Sequence, residues 1–199
     1  MNQTNLTQAA VLSFIFFAGL QPSNADFQDC SGKLAPNDRQ HCEDMFTRRV
    51  QAGSQTSQLP DGWRLVRTPD PRGGPEAVVS VLHAADTAKS HPNLAGLTFR
   101  CGPTGIDTLL IMLEPLTRGS RYGVRIKSGS TETQFEAKAL QGGEVLLLPP
   151  SASALAGGAW QAAPEISVDI AAPSPIGGSV PLSGLSGALL ALSRNCPAH

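Results

Sequence analysis

The chain has 199 residues, 15 basic and 16 acidic side chains, a formal net charge of −1 and 41% hydrophobic residues. Near-neutrality removes the basic excess on which phosphate-backbone and anionic-lipid binding depend, so nucleic acid is not an expected partner. With 20 Gly and 16 Pro the composition implies many turns, but it stays below the level that signals disorder, and the length suits one principal domain.

The first 25 residues read as a signal peptide. A polar start (Met1 to Gln8) precedes an apolar core (Ala9 to Leu20), and Ser23-Asn24-Ala25 places small residues at the first and third positions before a cleavage point after Ala25. No Lys or Arg precedes the apolar core, so an uncleaved anchor is the competing reading. It is disfavoured because about 12 apolar residues fall short of the ~20 that span a bilayer. No later run approaches that length, so no membrane insertion is expected once the leader is removed. The expected location is the periplasm, where the four cysteines, Cys30, Cys42, Cys101 and Cys196, would oxidise to two disulfides.

Residues 26–50 read as a small disulfide-closed helical segment. Cys30 and Cys42 flank Pro36-Asn37-Asp38, and Asn37 or Asp38 can cap a helix through His41, Met45, Phe46 and Arg49, with Met45 and Phe46 expected to dock on the main domain. Residues 51–60 are polar and aperiodic, which reads as a flexible linker. A β domain is expected over 61–199.

Strands are expected near Trp63 to Arg67, Ala77 to His83, Leu97 to Cys101, Thr108 to Leu113, Tyr122 to Lys127, Thr131 to Ala137, Val145 to Leu148 and Ile166 to Ile170. Leu97, Phe99 and Cys101 alternate against Thr98 and Arg100, and Val124 and Ile126 against Arg125 and Lys127, as in half-buried strands. Leu109 to Leu113 is apolar throughout, which suits a central strand covered on both faces. Ser128-Gly129-Ser130 is a hairpin turn with Gly supplying positive φ. At the end of the chain Leu185, Leu189 and Leu192 recur at helical spacing, with Ser183 as the N-cap. Cys196, closing that helix, can reach Cys101 at the end of a strand. Four cysteines allow three pairings, and the sequential one, Cys30–Cys42 with Cys101–Cys196, is the expectation. The fold class is mainly β: an antiparallel β-sandwich with an N-terminal disulfide-closed helical segment and a C-terminal helix.

Several of these segments resemble a known family. Cys30-Ser-Gly with Arg39-Gln-His-Cys42-Glu-Asp44, the Trp63 strand opening, Leu97-Thr-Phe-Arg-Cys101 and Ser183-Gly-Leu-Ser with Leu192-Ser-Arg-Asn-Cys196 are similar, in order, to motifs of the VasI/TagO proteins associated with type VI secretion. The chain departs from the pattern at Gln40-His41, Glu43 and Pro197. The resemblance implies a non-catalytic periplasmic accessory of an envelope-spanning secretion machine. The alternative is an exported inhibitor or immunity protein that blocks an envelope-acting enzyme.

Competing chemistry finds little support in the residues. The cysteines lack C-x-x-C spacing, and His83, Asp86 and His91 match no helix-borne zinc motif, so no metal or cofactor is expected. Ser151, Ser153, Ser183 and Ser186 sit in no G-x-S-x-G turn, and no Ser-x-x-Lys occurs. Glu132, Glu136 and Glu144 lie among Thr, Gln and Lys and read as solvated positions rather than a glycosidase pair. Gly102-Pro-Thr-Gly105 reads as a tight turn. What remains is a basic cluster, Arg118, Arg121, Tyr122, Arg125 and Lys127, as the candidate surface for a protein partner in the envelope, either a secretion-machine component or a target enzyme. The competing reading is an edge strand guarded by charge.

Overall fold

The computed structural model describes residues 53–69, 78–140 and 142–196. The leader, the helical segment at 26–50 and the expected Cys30–Cys42 closure lie outside the described residues.

Ten strands occur among the described residues: β1 (Gln55–Gln58), β2 (Arg64–Thr68), β3 (Val78–Ala84), β4 (Leu94–Gly102), β5 (Gly105–Met112), β6 (Arg121–Ser128), β7 (Thr131–Ala139), β8 (Val145–Leu147), β9 (Glu165–Ile170) and β10 (Ile176–Pro181). Two α-helices, α1 (Pro150–Ala156) and α2 (Leu185–Asn195), and two short 3-10 turns, Pro60–Gly62 and Ala159–Ala162, accompany them. Each expected strand is present. The segment read as linker holds β1, and β10 and α1 are additions to the reading from sequence.

The sandwich expected from sequence is one continuous antiparallel sheet in the order β1-β2-β3-β4-β5-β8-β7-β6-β9-β10. It doubles over on itself like a sandwich, because the last strand returns to the β3–β4 connection. The Asp86 N–H donates to the Ser179 carbonyl and the His91 N–H to the Gly177 carbonyl, both at 2.8 Å. One apolar core is thereby enclosed. Alternation supplies its inward rows: Val79 and Val81 from β3, Leu97 and Phe99 from β4, Leu110 and Met112 from β5, Val124 and Ile126 from β6, and Ile166, Val168 and Ile170 from β9. β5 is central as expected, with Leu109 and Leu110 buried on opposite faces, but the strand ends at Met112 and Leu113 is 66% exposed.

Turn chemistry agrees with the register. Gly129 (φ 58) sits between the paired Ser128 and Thr131, where a two-residue hairpin needs glycine, and Gly102 pairs with Gly105 across the β4–β5 turn. The α2 helix buries Leu185 and Leu192, as its spacing predicts, together with Ala188, while Leu189 is only partly buried at the core margin. Its N-cap is Gly184 (φ 75), not Ser183. A Cβ at 184 would come within 2.5 Å of Asp61 Oδ2, so this left-handed position has room only for glycine. Ser183 contributes its carbonyl instead, accepting the Trp63 indole N–H. The Cys101–Cys196 disulfide joins the end of α2 to β4 across a sequence separation of 95.

Candidate functional site

The basic cluster is built on β6, whose pattern places Tyr122, Val124 and Ile126 in the core and Arg121, Arg125 and Lys127 outside. β6 is an inner strand between β7 and β9, so the cluster does not guard a sheet edge. Register sets what each cation meets. Arg121 lies opposite Lys138 and pairs diagonally with Glu136; Arg125 lies opposite Gln134 and pairs diagonally with Glu132 at 3.2 Å. On the β9 side Asp169 is directly opposite Arg125 and Ser167 opposite Lys127. The surface is therefore a ladder of alternating sign rather than a positive patch.

Such exposed pairs contribute little to folding, about 0–1 kcal/mol each, because water screens them and two long side chains lose freedom. For the same reason an arginine here can exchange Glu132 or Glu136 for a partner's carboxylate at small cost. Lys138 and the loop residue Arg118 have no ion-pair partner among the described residues, and Lys127 stands directly opposite Glu132, which pairs with Arg125 instead.

Tyr122 does not belong to this surface. Its ring is buried on the opposite face, and its phenolic oxygen accepts the Thr117 N–H at 3.0 Å, which fixes the loop that carries Arg118. Alternation along β6 requires this side for it, since it shares parity with Val124 and Ile126.

The other candidate residues are occupied by structural contacts. His83 stands edge-on to Trp63 with ring centroids 5.1 Å apart, and its ring nitrogens approach the Ala84 and Asp61 carbonyls at 2.9 Å. His91 Nδ1 accepts the Asn93 N–H, and Asp86 Oδ1 accepts the Ala88 N–H. Among the described residues no group of three or more His, Cys, Asp or Glu side chains is placed to hold a metal ion. Ser153 shares a 2.7 Å hydrogen bond with Thr108. No helix of the described residues is long and apolar enough to cross a membrane.

A polar network that sequence reasoning missed ties the β3–β4 loop to β9 and β10. Glu165 Oε2 accepts both Lys89 Nζ and the Ser179 hydroxyl at 2.9 Å, and Ser90 Oγ accepts the Ser179 N–H at 3.0 Å. The Lys89 hydrogen bond, followed by that of Ser179, holds the Glu165 carboxyl below its ordinary range. The Glu165 bond in turn raises Lys89. These residues lie far apart in the chain, and no local signal joins them.

Comparison with protein-family models, curated proteins and solved structures finds no match to this chain.

Proposed function

We propose that the chain is a non-catalytic accessory protein of the periplasm that binds a protein component of the envelope, in the manner its resemblance to the VasI/TagO proteins of type VI secretion implies. The observation that carries this reading is the Cys101–Cys196 bond. It joins two of the segments that carry that resemblance, Leu97 to Cys101 and Ser183 to Cys196, and such bonds persist in oxidising compartments. The β6 ladder is the surface assigned to the partner: inward residues anchor it in the core, while its outward arginines hold only exposed, exchangeable partners.

Affinity capture from native envelope tests the reading. Wild-type protein is expected to retain a secretion-machine component, and the Arg121→Ala/Arg125→Ala variant to lose it at least tenfold. Equal capture by the variant would remove the β6 surface from the proposal. A captured envelope hydrolase that loses activity on binding would replace the accessory role with that of an inhibitor.

A further inference from the structure

The two edges of the sheet are treated differently. Along β10 the outward backbone groups belong to Gly177 and Ser179, and the β3–β4 loop meets three of these four: Asp86 and His91 donate to the two carbonyls, and Ser90 Oγ accepts the Ser179 N–H. Along β1 the equivalent groups follow from the register. One step beyond the Gln58–Arg64 pair, the Leu59 N–H donates to the Trp63 carbonyl at 2.8 Å, so Leu59 bonds inward toward the β2 side. By alternation Ser57 and Gln55 also bond inward to β2, so the N–H and C=O groups of Thr56 and Gln58 point away from the sheet. Among the described residues no strand pairs with β1 on that side, and all four of its residues are exposed.

Open edges of natural sheets are usually blunted by Lys, Pro, a bulge or a covering element. Gln55-Thr-Ser-Gln58 has no charge, no proline and no register break. We propose that β1 is a self-pairing edge, occupied by β1 of a second copy of this chain in antiparallel orientation about a two-fold axis at Ser57. This register brings Thr56 of each copy opposite Gln58 of the other as hydrogen-bonded pairs. Both pairs exchange two bonds, so four interchain bonds use every outward backbone group of the strand. A two-fold between Thr56 and Ser57 opposes outward residues to inward ones and satisfies none, while a two-fold at Thr56 or at Gln58 brings an outward residue of the strand opposite Ser54 or Pro60, beyond the ends of β1. Ser57 faces Ser57 across the axis as a close, uncharged pair, and a net charge of −1 sets little repulsion between copies.

Four residues a side make a small interface, so the dimer is weak and concentration-dependent. The pairing stands apart from the β6 surface, and its failure would leave the partner reading untouched. Sedimentation of the oxidised protein up to about 1 mM is expected to show a rising dimer fraction, as suits a small edge interface. Thr56→Pro removes an outward N–H without touching the β1–β2 ladder, and Ser57→Lys places like charges on the axis. Both are expected to remain monomeric while keeping wild-type near-ultraviolet circular dichroism. Ser57→Glu alone is expected to be monomeric as well, and an equimolar mixture with Ser57→Lys to recover the dimer. Wild-type protein that stays monomeric throughout, a Thr56→Pro variant that dimerises as wild type does, or a mixture that does not recover would each overturn the proposal.

Discussion

Trp63 Nε1 donates to the Ser183 carbonyl at 2.8 Å, joining the start of β2 to the approach of α2 across 120 residues of chain. The ring is fully buried and also meets His83 and Phe99, so one side chain supplies packing to the core and a polar tie to the last helix. Trp63→Phe keeps an aromatic ring but leaves the Ser183 carbonyl without this donor. Its expected cost is about 1–3 kcal/mol, against about 3–5 kcal/mol for Trp63→Ala, which also empties the site. Urea unfolding measures both, and a Trp63→Phe midpoint equal to wild type would show that the tie contributes nothing.

The same helix is held at its other end by the disulfide. Closing a loop with a sequence separation of 95 restricts the unfolded chain, for a stabilisation of about 4.5 kcal/mol on loop entropy. Cys101→Ser/Cys196→Ser should therefore lower the denaturation midpoint strongly, and reductant should do the same to wild type. Native-state hydrogen exchange should show α2 amides losing the most protection. Uniform loss across the sheet would instead mean that the helix and sheet unfold as one unit.

How far the fold was legible depended on whether local pattern or distant pairing decided each element. β4, β6 and β9 announce themselves by alternation, and the β6–β7 hairpin by Gly129. β1 escaped because Gln-Thr-Ser-Gln has no apolar face: it is a strand only because β2 offers a ladder to it. β10 escaped because Gly177-Gly178 weakens any strand signal, yet a Cβ at 178 would come within 2.6 Å of Leu94 Cδ2 and Ser90 Oγ, so the close approach of the loop explains that glycine. At the candidate surface, alternation revealed which arginines face outward. It did not reveal Asp169, which comes opposite Arg125 only through the β6–β9 pairing, whereas the inward position of Tyr122 follows from its shared parity with Val124 despite its basic neighbours.

The Glu165 network makes the β3–β4 latch pH-dependent, with a definite sign. Glu165 is shifted downward in the folded state, so its contribution is complete above the unfolded carboxyl value of 4.5 and is lost as pH falls through the lower folded value. Lys89 is shifted upward, so its contribution is complete below 10.5 and is lost as pH rises through the higher folded value. Between those limits the latch should be insensitive to pH. Comparing Glu165→Gln with wild type, the difference in protection of the Asp86 and His91 amides is expected to stay constant through neutral pH and to shrink in acid. A difference that grows in acid would reverse the sign of the coupling.

Two glycines should respond in opposite directions to the same methyl group. Gly96 follows the β4 irregularity between Leu94 and Gly96, and a Cβ there would lie 2.2 Å from the His83 carbonyl oxygen on the paired strand. Backbone cannot yield as a side-chain tip can, so Gly96→Ala must shift β3 against β4, at an expected cost of about 1–3 kcal/mol. Gly187 lies exposed in the first turns of α2 with nothing within 4 Å of a built Cβ and no positive φ. Gly187→Ala reduces the freedom of the unfolded chain and adds helix propensity, for an expected gain of up to about 1 kcal/mol. Thermal and urea unfolding of the two variants side by side measures both signs. Because the chemical change is identical, a loss of stability at both positions would mean that α2 is held by contacts a methyl group disturbs, and a loss at neither would mean that β3 and β4 have slack at the His83 carbonyl.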